Sequence, residues 1–204
     1  MSVSLRAARP DDDVILARLW VQTFPDKFGP LLGRKAEGII TDWFRLSQRH
    51  METTTVAEID GVAVGYIVLH TPTTPALEDE EIFWQALRLH YSWWRAGWRI
   101  LLLSWLDSDY PMGRNEIYIE MVGVDPAWRG QGIATELLAY AESVAREERA
   151  KAVSLSVLCN NQTAIRLYQK HGFHIMQTQH NFVLRLITGE AGYHEMVKGV
   201  EGRR

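Results

Sequence analysis

Cysteine is almost missing from these 204 residues: only Cys159 is present, so no intrachain disulfide can form and no zinc cluster can be built from thiolates. The composition suits a reducing compartment, and the expected location is the cytoplasm. No strong charge of either sign exists, since 22 basic residues face 25 acidic ones for a net charge of −3. Such a chain has no global field to hold a nucleic-acid backbone, and no nucleic-acid partner is expected. Long apolar runs are also missing. The most apolar stretch, Ile100 to Leu106, is closed by Arg99 and Asp107, far short of the ~20 residues of a membrane-spanning helix. Met1 to Asp13 has neither the basic segment nor the apolar run of a secretory signal, so no export is expected. The seven histidines form no helical ligand pair beside a third ligand, and no metal is expected. Repeats and low-complexity linkers are absent, which leaves a single domain over residues 1–204 as the expectation. With 47% hydrophobic residues, a core of ordinary size can be buried.

What is present alternates between strand and helix patterns. Val3, Leu5 and Ala7 alternate with polar residues as a first strand, and Pro10 with Asp11 to Asp13 opens a helix over Val14 to Phe24. A break is expected at Gly29-Pro30, then a helix within Lys35 to Gln48. Thr53 to Ile59, the Asp60-Gly61 turn and Val62 to Leu69 form a hairpin, because Asp-Gly accepts the positive φ angles of a two-residue loop. The spacing of Phe83, Leu87, Tyr91, Trp94, Trp98 and Trp105 predicts one long helix from Glu80 to Leu106, with Gly97 as its weak point. Its aromatics spread around most of the circumference. They serve core packing, a second subunit in a homodimer, or an apolar acceptor pocket.

The second half carries the chemistry. Glu116 to Val124 is a strand, followed by Arg129-Gly130-Gln131-Gly132 and a helix striped with Ile133, Leu137, Leu138, Ala141 and Ala145. The first N–H groups of a helix lack internal partners. Glycines let an anion approach them, the helix dipole adds positive charge, and Arg129 adds a full one. A diphosphate is the expected ligand. The nucleotide P-loop and the dinucleotide fingerprint both fail, the first for want of Gly-Lys-Ser/Thr, the second for want of a third glycine near Thr135. Val153, Leu155 and Val157 form the next strand in a parallel crossover. Asn161 can cap a helix closed by Gly172, and Phe173 to Gln179 and His194 to Lys198 are final strands.

Val122-Gly123-Val124-Asp125-Pro126-Ala127-Trp128-Arg129-Gly130-Gln131-Gly132-Ile133-Ala134 resembles the acetyl-CoA motif of the GNAT N-acetyltransferase superfamily. Asn161-x-x-Ala164-x-x-Leu167-Tyr168-x-Lys170-x-Gly172-Phe173 is similar to the family's later motif on the CoA side. The resemblance implies an α/β fold: a mixed, mostly antiparallel sheet that splays near its middle, flanked by helices, with 72–115 as a Trp-rich helical insertion. It further implies acetyl-CoA as cosubstrate and an amine acceptor, either a small molecule or a protein amine. The cofactor-binding residues it implies are Met121, Val122, Gly123, Val124, Arg129, Gly130, Gln131, Gly132, Ile133, Ala134, Thr135, Asn161 and Tyr168. Transfer to an amine needs a base, because deprotonating a lysine-like amine at pH 7 costs about 4 to 5 kcal/mol. Glu116, Tyr118 and Glu120 share one face of their strand. The resemblance casts Glu120 as base with Glu116 as the alternative, and Tyr168 as the acid for the leaving thiolate. A non-catalytic acyl-CoA sensor or scaffold shares the glycine turn without needing Glu120 or Tyr168.

Overall fold

The computed structural model describes residues 2–74, 79–106, 115–180, 185, 189 and 191–200. The elements in order are β1 (Ser4–Ala7), α1 (Asp13–Thr23), α2 (Pro25–Leu32), α3 (Ala36–Leu46), α4 (Gln48–Glu52), β2 (Thr54–Ile59), β3 (Val62–His70), α5 (Asp79–His90), α6 (Trp93–Leu106), β4 (Glu116–Val124), α7 (Ile133–Glu147), β5 (Ala152–Leu158), α8 (Gln162–Lys170), β6 (His174–His180) and β7 (Gly192–Gly199). They form a seven-stranded, mostly antiparallel sheet in the order β1-β2-β3-β4-β5-β7-β6, flanked by helices. The residues group into two compact units. One comprises Met1–Tyr66, Pro75–Asp107 and Gly123–Ile133; the other comprises Ile67–Thr74, Ser108–Val122 and Ala134–Arg204.

In the first unit, β1 pairs antiparallel with β2. The β2–β3 hairpin closes as expected, with φ of 51° at Asp60 and 78° at Gly61, the pair of positive values that matches strand twist. The core gathers Leu16, Leu19, Trp20, Leu32, Ile39, Ile40 and Phe44, all buried, with the Trp20 ring edge-on to Phe44 at 5.0 Å between centroids. Two expected breaks lie elsewhere. α2 runs through Gly29-Pro30 and stops at Gly33, where φ is 55°, a conformation that favours glycine.

The expected helix Glu80 to Leu106 is two helices, α5 and α6, and Gly97 lies inside the second. Tertiary anchors at the joint explain the division. Lys35 Nζ donates to the His90 carbonyl at 2.7 Å, and the Tyr91 hydroxyl donates to the Leu32 carbonyl at 2.9 Å. The Ser92 carbonyl then accepts the first bond of α6, from Ala96 N at 2.9 Å. An interior glycine costs a helix only about 1 kcal/mol, too little to break one unaided. α5 lies on α3, where His90 Nε2 meets Asp42 Oδ2 at 2.7 Å. α6 lies on α2, where Arg99 Nε donates to the Leu31 carbonyl at 2.8 Å. Trp93, Trp94 and Trp98 are nevertheless 70%, 55% and 40% exposed. The expected helix end at Pro111 and Gly113 lies outside the described residues.

In the second unit, β4 and β5 run parallel on either side of α7, the crossover the sequence predicts. β5 pairs antiparallel with β7 along its whole length, and β7 with the edge strand β6, whose register slips between Ile175 and Gln177. Ile117, Ile119 and Met121 of β4 are buried, as are Val153, Leu155 and Val157 of β5, Leu137, Leu138 and Ala141 of α7, and Ile165 and Phe173. The alternate β4 residues, Glu116, Tyr118 and Glu120, are half-buried on the opposite face. No helix among the described residues is long and apolar enough to cross a membrane.

Candidate active site

The strand leading into the glycine turn is held tightly. A side chain at Gly123 would collide with Thr23 Oγ1 and the Tyr66 ring, so only glycine fits this point of β4. The main chain then leaves the sheet, with Asp125 N donating to the Val64 carbonyl at 2.9 Å. Asp125 Oδ1 caps a short 3-10 turn, Pro126–Trp128, by accepting from Ala127 N at 2.9 Å. Arg129 follows with extended backbone and donates from Nε to the Val124 carbonyl at 3.2 Å.

Gly130 and Gly132 have φ of 79° and 84°. Both lie in the left-handed region, which an L side chain enters at a cost of roughly 1–2 kcal/mol. No heavy atom stands within 4 Å of where a Cβ would be at either position. The glycines therefore serve the backbone path and the space above it, not the avoidance of a neighbour. Arg129, Gly130, Gln131 and Gly132 are exposed, while Ile133 is buried and anchors the start of the 15-residue helix α7. Open backbone, left-handed turns and a helix start fit a diphosphate such as that of coenzyme A.

Parallel pairing of β4 with β5 covers only Glu116 to Ile119 opposite Ala152 to Leu155. β4 continues beyond it, and Glu120 is the first residue past the last pair. From there the two strands part, as the splayed sheet requires. His70, the last residue of β3, meets Glu120 here, with Nε2 and Oε2 2.6 Å apart. Their side chains are 15% and 28% exposed. The His70 ring also lies 6.4 Å from that of Tyr118, whose hydroxyl donates to Ser156 Oγ at 3.4 Å. On the same face, Ser156 stands opposite the buried Glu195 of β7, and Glu195 accepts a bond from Gln179 Nε2.

Glu116 lies on this face too, but four residues back along β4, roughly 13 Å away at strand rise. It is not brought to the His70–Glu120 pair. Tyr168 sits on α8, 8% exposed, its ring 6.0 Å from Phe173. Burial pushes its hydroxyl up to about 12, so it stays protonated. Asn161 caps α8, its Oδ1 accepting from Ala164 N at 3.1 Å. Thr135 Oγ1 lies 3.2 Å from His171 Nε2. His70 is the residue that sequence reasoning missed. Its only signal is a titratable residue closing an otherwise apolar strand.

These features define a class: α/β proteins with a mostly antiparallel sheet and an open glycine turn at a helix start that fits a diphosphate. The chain belongs to the acetyltransferase (GNAT) family, whose sequence profile matches residues 15–173. It is 35% identical over 91 residues to the uncharacterized N-acetyltransferase YdgE of Bacillus subtilis, a match covering 41% of this chain and 55% of that protein. The chain spans about half the length of the curated relatives it matches. Among solved structures, an N-acetyltransferase from Staphylococcus aureus superposes with a TM-score of 0.69 at 22% identity, covering 95% of this chain and 99% of that one. The PaiA N-acetyltransferase of Thermoplasma acidophilum, solved in complex with coenzyme A, gives 0.60 at 15% identity over 98% of this chain and 99% of its own.

Proposed function

We propose that this chain is an acetyl-CoA-dependent N-acetyltransferase that moves acetyl to a primary amine by direct attack, with donor and acceptor bound together. We further propose that both units belong to one such domain, with 72–115 as its helical insertion. The observation that carries the reading is the open left-handed turn at Gly130 and Gly132, in the stretch that resembles an acetyl-CoA motif and within the residues the family profile matches. Acetyl-CoA supplies the acetyl group as a thioester. Main-chain groups from Arg129 to Thr135, with the Arg129 charge, hold the diphosphate. Main-chain groups of Met121, Val122, Gly123 and Val124 hold the pantetheine arm and the carbonyl oxygen. Asn161, beyond its capping bond, adds a side-chain contact to that arm.

The acceptor amine must lose a proton, and the polar face of β4 supports proton removal at Glu120 and the histidine it holds, in preference to Glu116. Tyr168, kept protonated by its burial, donates to the leaving sulfur. The test is thiol release from acetyl-CoA across a panel of small amines, peptide N-termini and lysine peptides. Release that depends on an amine is the expected result. Coenzyme A binding with no amine-dependent release would overturn the enzyme reading in favour of a sensor or scaffold.

A further inference from the structure

We infer that His70 Nδ1 is the atom that takes the proton from the acceptor amine, and that Glu120 is a positioning residue that fixes the imidazole in the tautomer this requires. The inference rests on the acetyl-transfer reading and names the proton acceptor within it. An ionised carboxylate offers only acceptors, so the Glu120 Oε2 contact at 2.6 Å places the imidazole proton on Nε2. A neutral imidazole has one N–H and one lone pair, which leaves the lone pair on Nδ1. Among the described residues no hydrogen bond reaches that nitrogen. The ring is mostly covered yet not sealed from solvent.

Chemistry favours the imidazole as the working group. Ordinary carboxylates titrate near 4.3 and ordinary imidazoles near 6.5, and a base works best when its pKa lies close to the operating pH. The carboxylate contributes more as an orienting partner that also stabilises the imidazolium, the division of labour seen wherever a base is oriented by a third group. Position supports the assignment as well. The pair sits at the first residue beyond the last β4–β5 pairing, where the strands part. Among the described residues of this unit, strand register puts Tyr118 and Glu116 of β4, Glu195 and Tyr193 of β7 and His174 of β6 on the face that carries Glu120.

The balance of the step is simple. The amine nitrogen forms a bond to the acetyl carbon as the carbon–sulfur bond breaks. The acceptor ammonium first gives one proton to His70 Nδ1, which passes it to water; the second N–H proton leaves to water as the amide forms, and the sulfur takes the Tyr168 hydroxyl proton, which solvent replaces.

Two measurements on the full chain decide the matter. The first is the pH dependence of kcat/KM for the wild type, His70→Ala and Glu120→Gln, with coenzyme A affinity and melting temperature recorded for each. His70→Ala is expected to lose about 10²–10⁴-fold in kcat and its acidic limb, keep its coenzyme A affinity, and regain turnover with added imidazole. Glu120→Gln is expected to keep a limb at a displaced pH with a smaller loss. A wild-type profile in His70→Ala, or a limb lost in Glu120→Gln but retained in His70→Ala, would return the base to Glu120. The second is the tautomer of His70 from long-range nitrogen–proton correlation in the labelled protein, which needs no turnover. A proton on Nδ1 at pH 8 would overturn the assignment while leaving acetyl transfer intact. Absence of amine-dependent thiol release by the wild type overturns both together.

Discussion

Burial changes Tyr168 more than its place on a short surface helix suggests. A phenol held near 12 stays protonated at working pH, which the proposed donation to the departing sulfur requires. Tyr168→Phe is expected to lower kcat about 10-fold or more with little change in KM for acetyl-CoA, within the usual range for general acids. Unchanged turnover would make the residue packing against Phe173. The same burial has a stability signature. The folded-state value is raised from 10.0, so the contribution is complete below pH 10 and is lost as pH rises toward 12. Urea unfolding at pH 8 and pH 11 should show that alkaline loss in the wild type and a smaller one in Tyr168→Phe. At this scale the sequence was a partial guide. Glu120 could be placed by alternation along its own strand, whereas His70 reaches it only because β3 and β4 are neighbours, a non-local pairing that no spacing in the chain records.

The sequence places two glycines between a strand and an apolar helical stripe, where they let an anion approach the backbone; the structure adds that both take left-handed φ, 79° and 84°. Because nothing crowds either glycine, Gly132→Ala meets only backbone strain. It is expected to cost about 1–2 kcal/mol of stability and to raise KM for acetyl-CoA while changing kcat less. A variant as stable as the wild type and equally saturable would show that the turn does not hold the donor. The helical insertion was less legible. Its periodicity correctly marked helix, but Leu32 and Lys35 lie far from His90 and Tyr91 in sequence, and the hydrogen bonds between them place the joint at residues 91–92. Propensity alone pointed to Gly97. α2 repeats the lesson, since its end is set at Gly33 and not at Gly29-Pro30.

For the molecule as a whole, the order of the strands was readable, as was the parallel crossover through α7, because each of these elements buries one face and carries its own period, whereas the short helices α2 and α4 were not. The two compact units were not, since polar and apolar residues are spread evenly and the cut falls inside β3 and β4. The first unit depends on a charged tie near its N-terminus. Arg6 donates to Asp12 at 2.6 and 2.8 Å and to Glu58 at 2.7 Å, linking β1, β2 and the entry to α1. Burial pushes the Asp12 carboxyl upward, but hydrogen bonds from Arg6 and the Arg9 N–H outweigh it and hold the group below its ordinary value. A lowered value means the tie is fully present above the unfolded-state pKa and is lost as pH falls through the folded one. Asp12→Asn should therefore cost about 1.5–3 kcal/mol at pH 7, with the gap to wild type narrowing below about pH 4. A gap that stays constant into strong acid would rule out the ionic account.

The slip between Ile175 and Gln177 has a consequence for the outer margin of the sheet. β6 leaves Ile175 and Met176 uncovered at the end of the strand order, where a straight ribbon would invite a neighbouring copy to add on. The bulge puts donors and acceptors out of step and bends the border away from any flat partner. A margin of this kind disfavours strand addition by a second copy and so lowers the risk that its exposed apolar side chains would seed fibrils.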